Sequence, residues 1–129
     1  MQEIVVAAAI LEEDGTFLIA RRPRGKPFPG KWEFPGGKVE IQETPESCLM
    51  RELEEELGIK VAVGEFVAEG VFQDEKITIR VLGYRATRLH GEVKANVHDE
   101  IRWVPASEFS RFDFAPADVS IAETLSPPQ

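Results

Sequence analysis

Four glutamates are crowded into one short segment, residues 51–58, which reads Arg-Glu-Leu-Glu-Glu-Glu-Leu-Gly. On a helix, residues three and four apart share a face, so Glu52, Glu55 and Glu56 would point one way and Glu54 nearly the opposite way. Such close carboxylates repel each other, and in a cleft they would require divalent cations. Hard oxygen ligands favour magnesium or manganese. Taken alone, a cluster of this kind is more often a solvated acidic helix face.

The neighbouring residues add groups that suit a phosphate ligand. Gly36 and Gly37 stand in a predicted loop, where the backbone can approach a phosphate or a metal closely. Lys38 follows them as a candidate phosphate contact. Arg51 directly precedes the acidic face and could hold one carboxylate through a bidentate pair, and Glu43 lies just before the helix. These neighbours favour a functional cluster over a solvated face.

A helix must carry these carboxylates, and the sequence marks both of its ends. Thr44 offers a hydroxyl for the N-cap and Pro45 suits the first helical position. Gly58 is a typical C-terminal stop, so the helix is predicted to run to about Leu57. An apolar stripe recurs every four residues and is predicted to face the core: Leu49, Leu53 and Leu57.

The remaining pattern predicts strands around this helix. Asp14-Gly15 is a turn signal between the first two strands, which are predicted to form a hairpin. A second helix is predicted over 117–125, with a short helical turn at 106–109. A mixed sheet flanked by helices, an α/β fold, is the natural assembly. The predicted strands cover 4–11, 16–21, 32–34, 59–63, 65–72, 77–86 and 101–104.

Length and composition predict a single domain over residues 1–129. The chain is 43% hydrophobic and 29% charged, which is ordinary for a globular protein. Cys48 is the only cysteine, so an internal disulfide and a multi-cysteine zinc site are excluded. No stretch reaches the roughly 18 apolar residues of a membrane span. The run 4–11 lacks a basic flank, which favours a buried strand over a signal peptide, and we expect a cytoplasmic protein.

The charge balance limits the possible partners. With 15 basic and 23 acidic residues, the formal net charge is −8. This charge disfavours a general binder of duplex DNA or of anionic membranes. A phosphate-bearing small molecule can still bind an acidic protein when divalent cations lie between them.

The glycine, arginine and glutamate spacing resembles a known motif. Gly37, Glu43 and the run from Arg51 to Ile59 match every fixed position of the Nudix box, G-x5-E-x7-R-E-U-x-E-E-x-G-U, in which U is aliphatic. The segments Trp32 to Lys38 and Phe114 to Asp118 look like the MutT-type branch. The resemblance implies the Nudix fold, a mixed sheet sandwiched between helices. It also implies hydrolysis of a nucleoside triphosphate to a monophosphate and pyrophosphate.

The resemblance also implies roles for individual residues. The Gly37 carbonyl and the glutamates 52, 55 and 56 would bind Mg²⁺, with Mn²⁺ as a substitute, and one glutamate would act as base through water. Arg51 would orient a carboxylate, and Glu43 would support the helix start. Arg22 and Lys38 would contact phosphates. Phe34 would form a wall for the base, although Trp32 and Phe34 could equally belong to the core.

One position departs from the branch pattern. MutT-type enzymes often carry a further glutamate in the loop before the strand that ends here in Trp103. When the family pattern is aligned at Trp103, Val97 occupies the position of that glutamate. Glu100 or Asp99 could replace it as a metal ligand, or both could be solvated loop carboxylates. His98 is predicted to be a surface or loop-packing histidine.

Asp118 occupies the position at which MutT-type relatives place a base-reading residue. An ionised carboxylate only accepts hydrogen bonds, so it suits the guanine edge or the cytosine amino group. Asp118 could instead cap the last helix. The sequence therefore leaves 8-oxo-dGTP and CTP or modified dCTP open as substrates.

Other functions remain open at this point. A Nudix hydrolase of a nucleotide sugar or dinucleotide, a non-catalytic nucleotide-sensing module and an acidic interaction domain are the alternatives. The expected partner is a small-molecule nucleotide, not a nucleic acid or a membrane, and the expected state is a monomer or weak homodimer.

Overall fold

A computed structural model describes residues 2–127 of the chain. The predicted domain ends at 1 and 129 lie outside the described residues. Two 3-10 helices, Ala106–Arg111 and Pro116–Asp118, follow the last strand. The longer elements in chain order are β1 Gln2–Glu13, β2 Thr16–Arg21, β3 Trp32–Glu33, β4 Gly36–Lys38, α1 Pro45–Leu57, β5 Lys60–Gln73, β6 Ile77–His90, β7 Glu100–Val104 and α2 Val119–Leu125.

The strands form a mixed sheet in the order β3-β2-β1-β6-β5, with β4 also paired to β1 and β7 to β2. β1 and β6 run parallel over ten residue pairs, from Gln2 opposite Ile77 to Leu11 opposite Ala86. The predicted hairpin is confirmed, although β1 pairs with β2 only at its end, through Glu12 and Glu13. The rest of β1 is left free to pair with β4 and β6.

Both faces of β1 are buried, which explains its uninterrupted apolar sequence. Ala7, Ala9 and Leu11 pack with the leucine stripe of α1 on one face. Ala8 and Ile10 point to the other face, where they join the core that includes Ile121 of α2. The predicted mixed sheet between helices is therefore confirmed.

Local sequence signals determine where α1 begins and ends. The Thr44 hydroxyl accepts a hydrogen bond from the Ser47 amide at 3.0 Å, and the Ser47 hydroxyl accepts from the Thr44 amide at 3.1 Å. This reciprocal pair is a capping box. Gly58 ends the helix in the left-handed conformation, with φ of 72°. The three leucines of the stripe are fully buried, as predicted.

Three element predictions need correction. Gly36 and Gly37 lie in β4 and not in a loop, because β4 pairs with β1. The two strands approach so closely that a side chain at Gly36 would collide with the Ala7 carbonyl. The strands predicted at 59–63 and 65–72 are one strand, β5, with register irregularities between Val63 and Ala68. The last helix begins at Val119, after a 3-10 turn.

Membrane-spanning segments were not expected from the sequence. Among residues 2–127, no helix combines the length and hydrophobicity needed to cross a bilayer.

Candidate active site

A cleft of about 470 Å³ is lined by residues of the sheet, of α1 and of the neighbouring loops. Its apolar wall comes from β1, β5 and β6 through Ile4, Val6, Phe72, Ile79 and Val81. Parallel pairing places Ile4 beside Ile79 and Val6 beside Val81. Charged groups from α1, β3 and the neighbouring loops complete the lining: Arg22, Lys26, Glu33, Lys38, Glu52, Glu56, His98 and Asp118. The cleft thus combines an apolar surface with a charged one.

The carboxylates of α1 divide between the cleft and the solvent. Glu52 and Glu56, one helical turn apart, line the cleft. The Glu55 side chain is 63% exposed and its carboxylate lies 3.7 Å from the Arg51 guanidinium. Glu54 is exposed on another face and pairs with Lys60. Two of the three carboxylates predicted to act together therefore line the cleft, and Glu55 lies outside the lining beside Arg51.

Gly37 lies directly against Glu52. A Cβ at Gly37 would lie within 2.7 Å of three side-chain atoms of Glu52, so a side chain at position 37 would force Glu52 to move. The Gly37 carbonyl oxygen accepts a long hydrogen bond from the Cys48 thiol, at 3.4 Å. β4 thus places Gly37 against the Glu52 side chain in the cleft lining.

Arg51 joins the start of α1 to the cleft. Its Nε and second terminal nitrogen donate to the two carboxylate oxygens of Glu43 at 2.7 and 2.9 Å. Its other terminal nitrogen donates to Glu52 at 2.6 Å. The Arg51 hydrogen bonds, with one from the Glu40 amide, lower the pKa of Glu43 to about 2. Glu43 therefore stays ionised and holds the guanidinium against Glu52.

Glu56 has a buried carboxyl group, and one of its two oxygens, Oε1, lacks a hydrogen-bond partner among the described residues. Burial raises its pKa to about 7, and the Glu52 and Glu33 carboxylates add to the rise, whereas an imidazolium at His98 would oppose it. A cation near Glu56 would satisfy the oxygen and compensate its charge.

The donors present fit an oxygen-preferring divalent cation. Glu52 and Glu56 supply carboxylate oxygens, and Gly37 lines the cleft against Glu52. Within residues 2–127, no group of three or more histidine, cysteine, aspartate or glutamate side chains is arranged to hold a metal ion by itself. Magnesium is often bound by one or two carboxylates together with substrate phosphates, which suits this pair.

A second buried network of charged groups belongs to the cleft lining. Glu33 accepts a hydrogen bond from Arg22 at one oxygen and pairs with His98 Nε2 at the other, at 2.9 Å. Asp118 accepts a hydrogen bond from the Phe34 amide at 3.0 Å. Burial raises the pKa of Asp118 to about 8, and the Glu33 charge adds to the rise. Asp118 is thus mainly protonated at neutral pH, which corrects the predicted acceptor-only carboxylate.

The two acids of the loop lie away from the cleft lining. Glu100 forms ion pairs with Arg21 and Arg102, and Asp99 lies near Arg21. These pairings arise because β7 aligns Glu100 with Arg21 of β2. That either acid replaces the missing loop glutamate as a metal ligand stays a prediction. The alternative that Asp118 caps α2 is wrong, because its side chain makes no cap hydrogen bond and accepts from the Phe34 amide, just after β3.

Other candidates occupy the cleft as the sequence suggested. Arg22 and Lys38 line it as cations. Phe34 is 2% exposed, lines the cleft and stacks on Phe114 with ring centroids 5.4 Å apart. It is thus both a core residue and a wall. Trp32 is a core residue that contacts Phe112 edge to face.

Two charged residues of the cleft lining were not predicted from the sequence. Glu33 was overlooked, although a charged residue between two aromatics in a short strand was a usable signal. Lys26 lies in a loop rich in proline and glycine and carried no comparable signal. Of the two alternatives for His98, the loop-packing one agrees with the structure, because His98 is buried and pairs with Glu33.

Comparison with known proteins places this geometry in a family. The NUDIX domain model matches residues 1–125. The chain is 40% identical to the CTP pyrophosphohydrolase of Escherichia coli over 125 residues, covering 97% of this chain and 93% of the relative. It is 41% identical to the putative 8-oxo-dGTP diphosphatase 2 of Mycobacterium tuberculosis over 133 residues, covering 98% and 92%.

A solved structure agrees with this assignment. The solution structure of the E. coli ORF135 protein matches with a TM-score of 0.86 and 40% identity, over 96% of this chain and 89% of that chain. The fold that surrounds the box residues is thus the Nudix fold predicted from the sequence. The chain belongs to the NUDIX domain family.

Proposed function

We propose that this protein is a magnesium-dependent nucleoside triphosphate pyrophosphohydrolase, which converts a nucleoside triphosphate and water to a monophosphate and pyrophosphate. It is a Nudix hydrolase of phosphoric anhydride bonds. The observation that carries the proposal is the pair Glu52 and Glu56 in a cleft that also has an apolar wall. Similarity to relatives named for CTP and 8-oxo-dGTP supports a triphosphate substrate.

The triphosphate would react at the part of the cleft that Glu52, Glu56 and Gly37 line. Glu52 and Glu56, with the Gly37 carbonyl, would hold the cation, and Glu55 would join them from the solvent side. Bound there, Mg²⁺ would neutralise phosphate charge and lower the pKa of water. Arg51 fixes the Glu52 carboxylate and Glu43 fixes Arg51. Glu52 or Glu56 would take the proton from the attacking water.

Cations of the chain supply the remaining phosphate contacts. Lys38 follows the glycines of β4, and Arg22 and Lys26 belong to the loop after β2. Against a net charge of −8, these three groups make the cleft locally more favourable for a polyanion. We assign the outer phosphates to this side of the cleft.

The nucleobase would lie between Phe34 and the apolar wall, beside Asp118. A protonated Asp118 accepts through its carbonyl oxygen and donates through its hydroxyl, so it can pair with a base that offers both an amino group and an acceptor. Cytosine and guanine edges both do so. CTP, modified dCTP and 8-oxo-dGTP therefore remain the proposed substrates, and clearing modified nucleotides is the proposed role.

A kinetic screen tests the proposal. Pyrophosphate release is measured with 8-oxo-dGTP, CTP, dCTP, 5-methyl-dCTP and 5-hydroxy-dCTP, and the values of kcat/KM are compared because that ratio measures discrimination. The proposal expects magnesium-dependent turnover of at least one of them to pyrophosphate. Binding with no turnover would instead indicate a nucleotide-sensing module, and turnover of nucleotide sugars alone would indicate another Nudix substrate class.

Three further expectations belong to the proposal. The NUDIX match over 1–125 supports one domain across the chain. The free thiol of Cys48 suits a reducing compartment such as the cytoplasm. A monomer or weak homodimer that binds nucleotide, and neither nucleic acid nor membrane, completes the description, and light scattering checks the assembly.

A further inference from the structure

The loop between β6 and β7 is hydrogen-bonded to the C-terminal end of α1. The Lys94 amide donates to the Leu57 carbonyl at 2.9 Å, and the Asn96 amide donates to the Glu56 carbonyl at 3.2 Å. Two residues later His98 enters the cleft lining, with its side chain only 2% exposed. These backbone bonds place His98 near the Glu56 end of the helix.

The hydrogen bonds of Glu33 determine which nitrogen of His98 carries a proton. Glu33 is ion-paired with Arg22 through one oxygen, so as a carboxylate it can only accept at the other. His98 Nε2, 2.9 Å away, must therefore donate to it. In a singly protonated ring, Nδ1 is then an acceptor.

That acceptor is left without a donor. His98 Nδ1 is buried and has no hydrogen-bond partner among the described residues. A buried polar atom of this kind is unfavourable unless a ligand or water supplies the missing bond. Because His98 lines the cleft, a molecule bound there lies beside this ring.

We propose that His98 is a specificity-determining residue: its Nδ1 accepts a hydrogen bond from the nucleoside part of the substrate, while its Nε2 and Arg22 fix the Glu33 carboxylate. This inference rests on the proposed function. The chemistry needed is an N–H or O–H donor, which either an amino group of the base or a hydroxyl of the sugar can supply. The nucleoside is favoured over the phosphates because triphosphate oxygens offer acceptors and not donors.

Nitrogen NMR tests the contact without relying on activity. The chain has two histidines, and His90 is exposed, so it serves as an internal control. In ¹⁵N-labelled protein without metal, His98 should carry its proton on Nε2. Saturation with CMP or GMP should move the His98 Nδ1 resonance upfield, as expected for an accepted hydrogen bond, and leave His90 unchanged. A proton on Nδ1 in the free protein, or an unmoved Nδ1 at saturation, would overturn the proposal.

Matched variants separate the two contacts. His98→Asn keeps an oxygen near the position of Nδ1, His98→Gln keeps an N–H that reaches Glu33, and His98→Phe keeps neither. We expect His98→Phe to raise KM and lower kcat/KM roughly tenfold or more with the best substrate. His98→Asn should retain more of the nucleoside affinity than His98→Phe, and His90→Gln should match the wild type.

Substrate pairs identify the donor. If the base amino group donates, the loss in His98→Phe should be larger for CTP than for UTP. A 2′-hydroxyl donor should give a larger loss for CTP than for dCTP, and a 3′-hydroxyl donor should give a larger loss for dCTP than for its 2′,3′-dideoxy analogue. An equal loss in kcat at unchanged KM for every nucleotide would show a merely structural role and overturn the proposal. Wild-type protein that neither binds nor cleaves any nucleotide would instead defeat the proposed function itself.

Discussion

The α-carbon of Gly37 lies so close to the Glu52 side chain that a methyl group at that position would occupy the space of the carboxylate. Glu52 can keep this position in the cleft lining only while Gly37 has no side chain. One residue of the sheet thus sets the position of one carboxylate of the helix.

Gly37→Ala should therefore displace Glu52. We expect kcat/KM for pyrophosphate release to fall by roughly a hundredfold, because a misplaced ligand loses the alignment of the reacting groups. Gly64→Ala is the control, since a Cβ there would meet Arg85 at an ordinary distance of 3.7 Å. Near-normal kcat/KM in Gly37→Ala, with a Tm equal to that of the control, would refute the positional role of Gly37.

Arg51→Lys tests the connection from Glu43 to Glu52. Lysine keeps the charge but cannot reach both Glu43 oxygens and Glu52 at once, because it has a single nitrogen. Steady-state kinetics should show kcat/KM reduced roughly tenfold, with little change in Tm because partly exposed ion pairs contribute little to stability. Arg88→Lys, in a partly exposed pair with Glu13, should behave as wild type. Equal kinetics for the two variants would remove Arg51 from the positioning network.

Asp118 predicts a pH dependence of stability. Its pKa is raised from 3.8 to about 8 in the folded protein, so its stabilising contribution is fully present below pH 3.8 and is lost as pH rises through about 8. The Asp118→Asn side chain cannot ionise, so the stability of this variant does not fall for this reason as the pH rises. Between about pH 4 and pH 8, the Tm of the variant relative to wild type should rise in metal-free buffer, and above about pH 8 the difference should level off.

The control for this titration is Asp14→Asn, which changes an exposed carboxyl in the turn between β1 and β2. Its Tm difference from wild type should stay flat over the same pH range. A flat difference for Asp118→Asn as well would show that Asp118 titrates with an ordinary pKa.

The sequence predicted those parts of the fold that depend on local signals. Thr44 and Gly58 identify the ends of α1 because capping and the left-handed conformation involve only nearby residues. The box spacing likewise identified Glu52, Glu56 and Arg51 before any contact between them was known. The strand at Gly36 was missed because it exists through pairing with Ala8, far away in sequence.

The cleft network of Glu33 and His98 was missed for the same reason. The two residues lie far apart in the chain and meet only when β3 and the loop before β7 are assembled. Burial is also what changes Asp118 from an ionised acceptor to a protonated acid, and no local pattern reports burial by a distant strand. The pairing of Glu100 with Arg21 likewise depends on the register of β7 against β2, which no local pattern reports.

The most direct test of the central claim is pyrophosphate release measured against free Mg²⁺ for four charge-neutralising variants. Glu52→Gln, Glu55→Gln and Glu56→Gln should each lower kcat/KM by at least about a hundredfold, and the cleft-facing pair should also require more Mg²⁺. Glu54→Gln, on the exposed face, should match wild type. Wild-type turnover and Mg²⁺ dependence in all of the first three variants would contradict the claim that these carboxylates hold the cation on which catalysis depends.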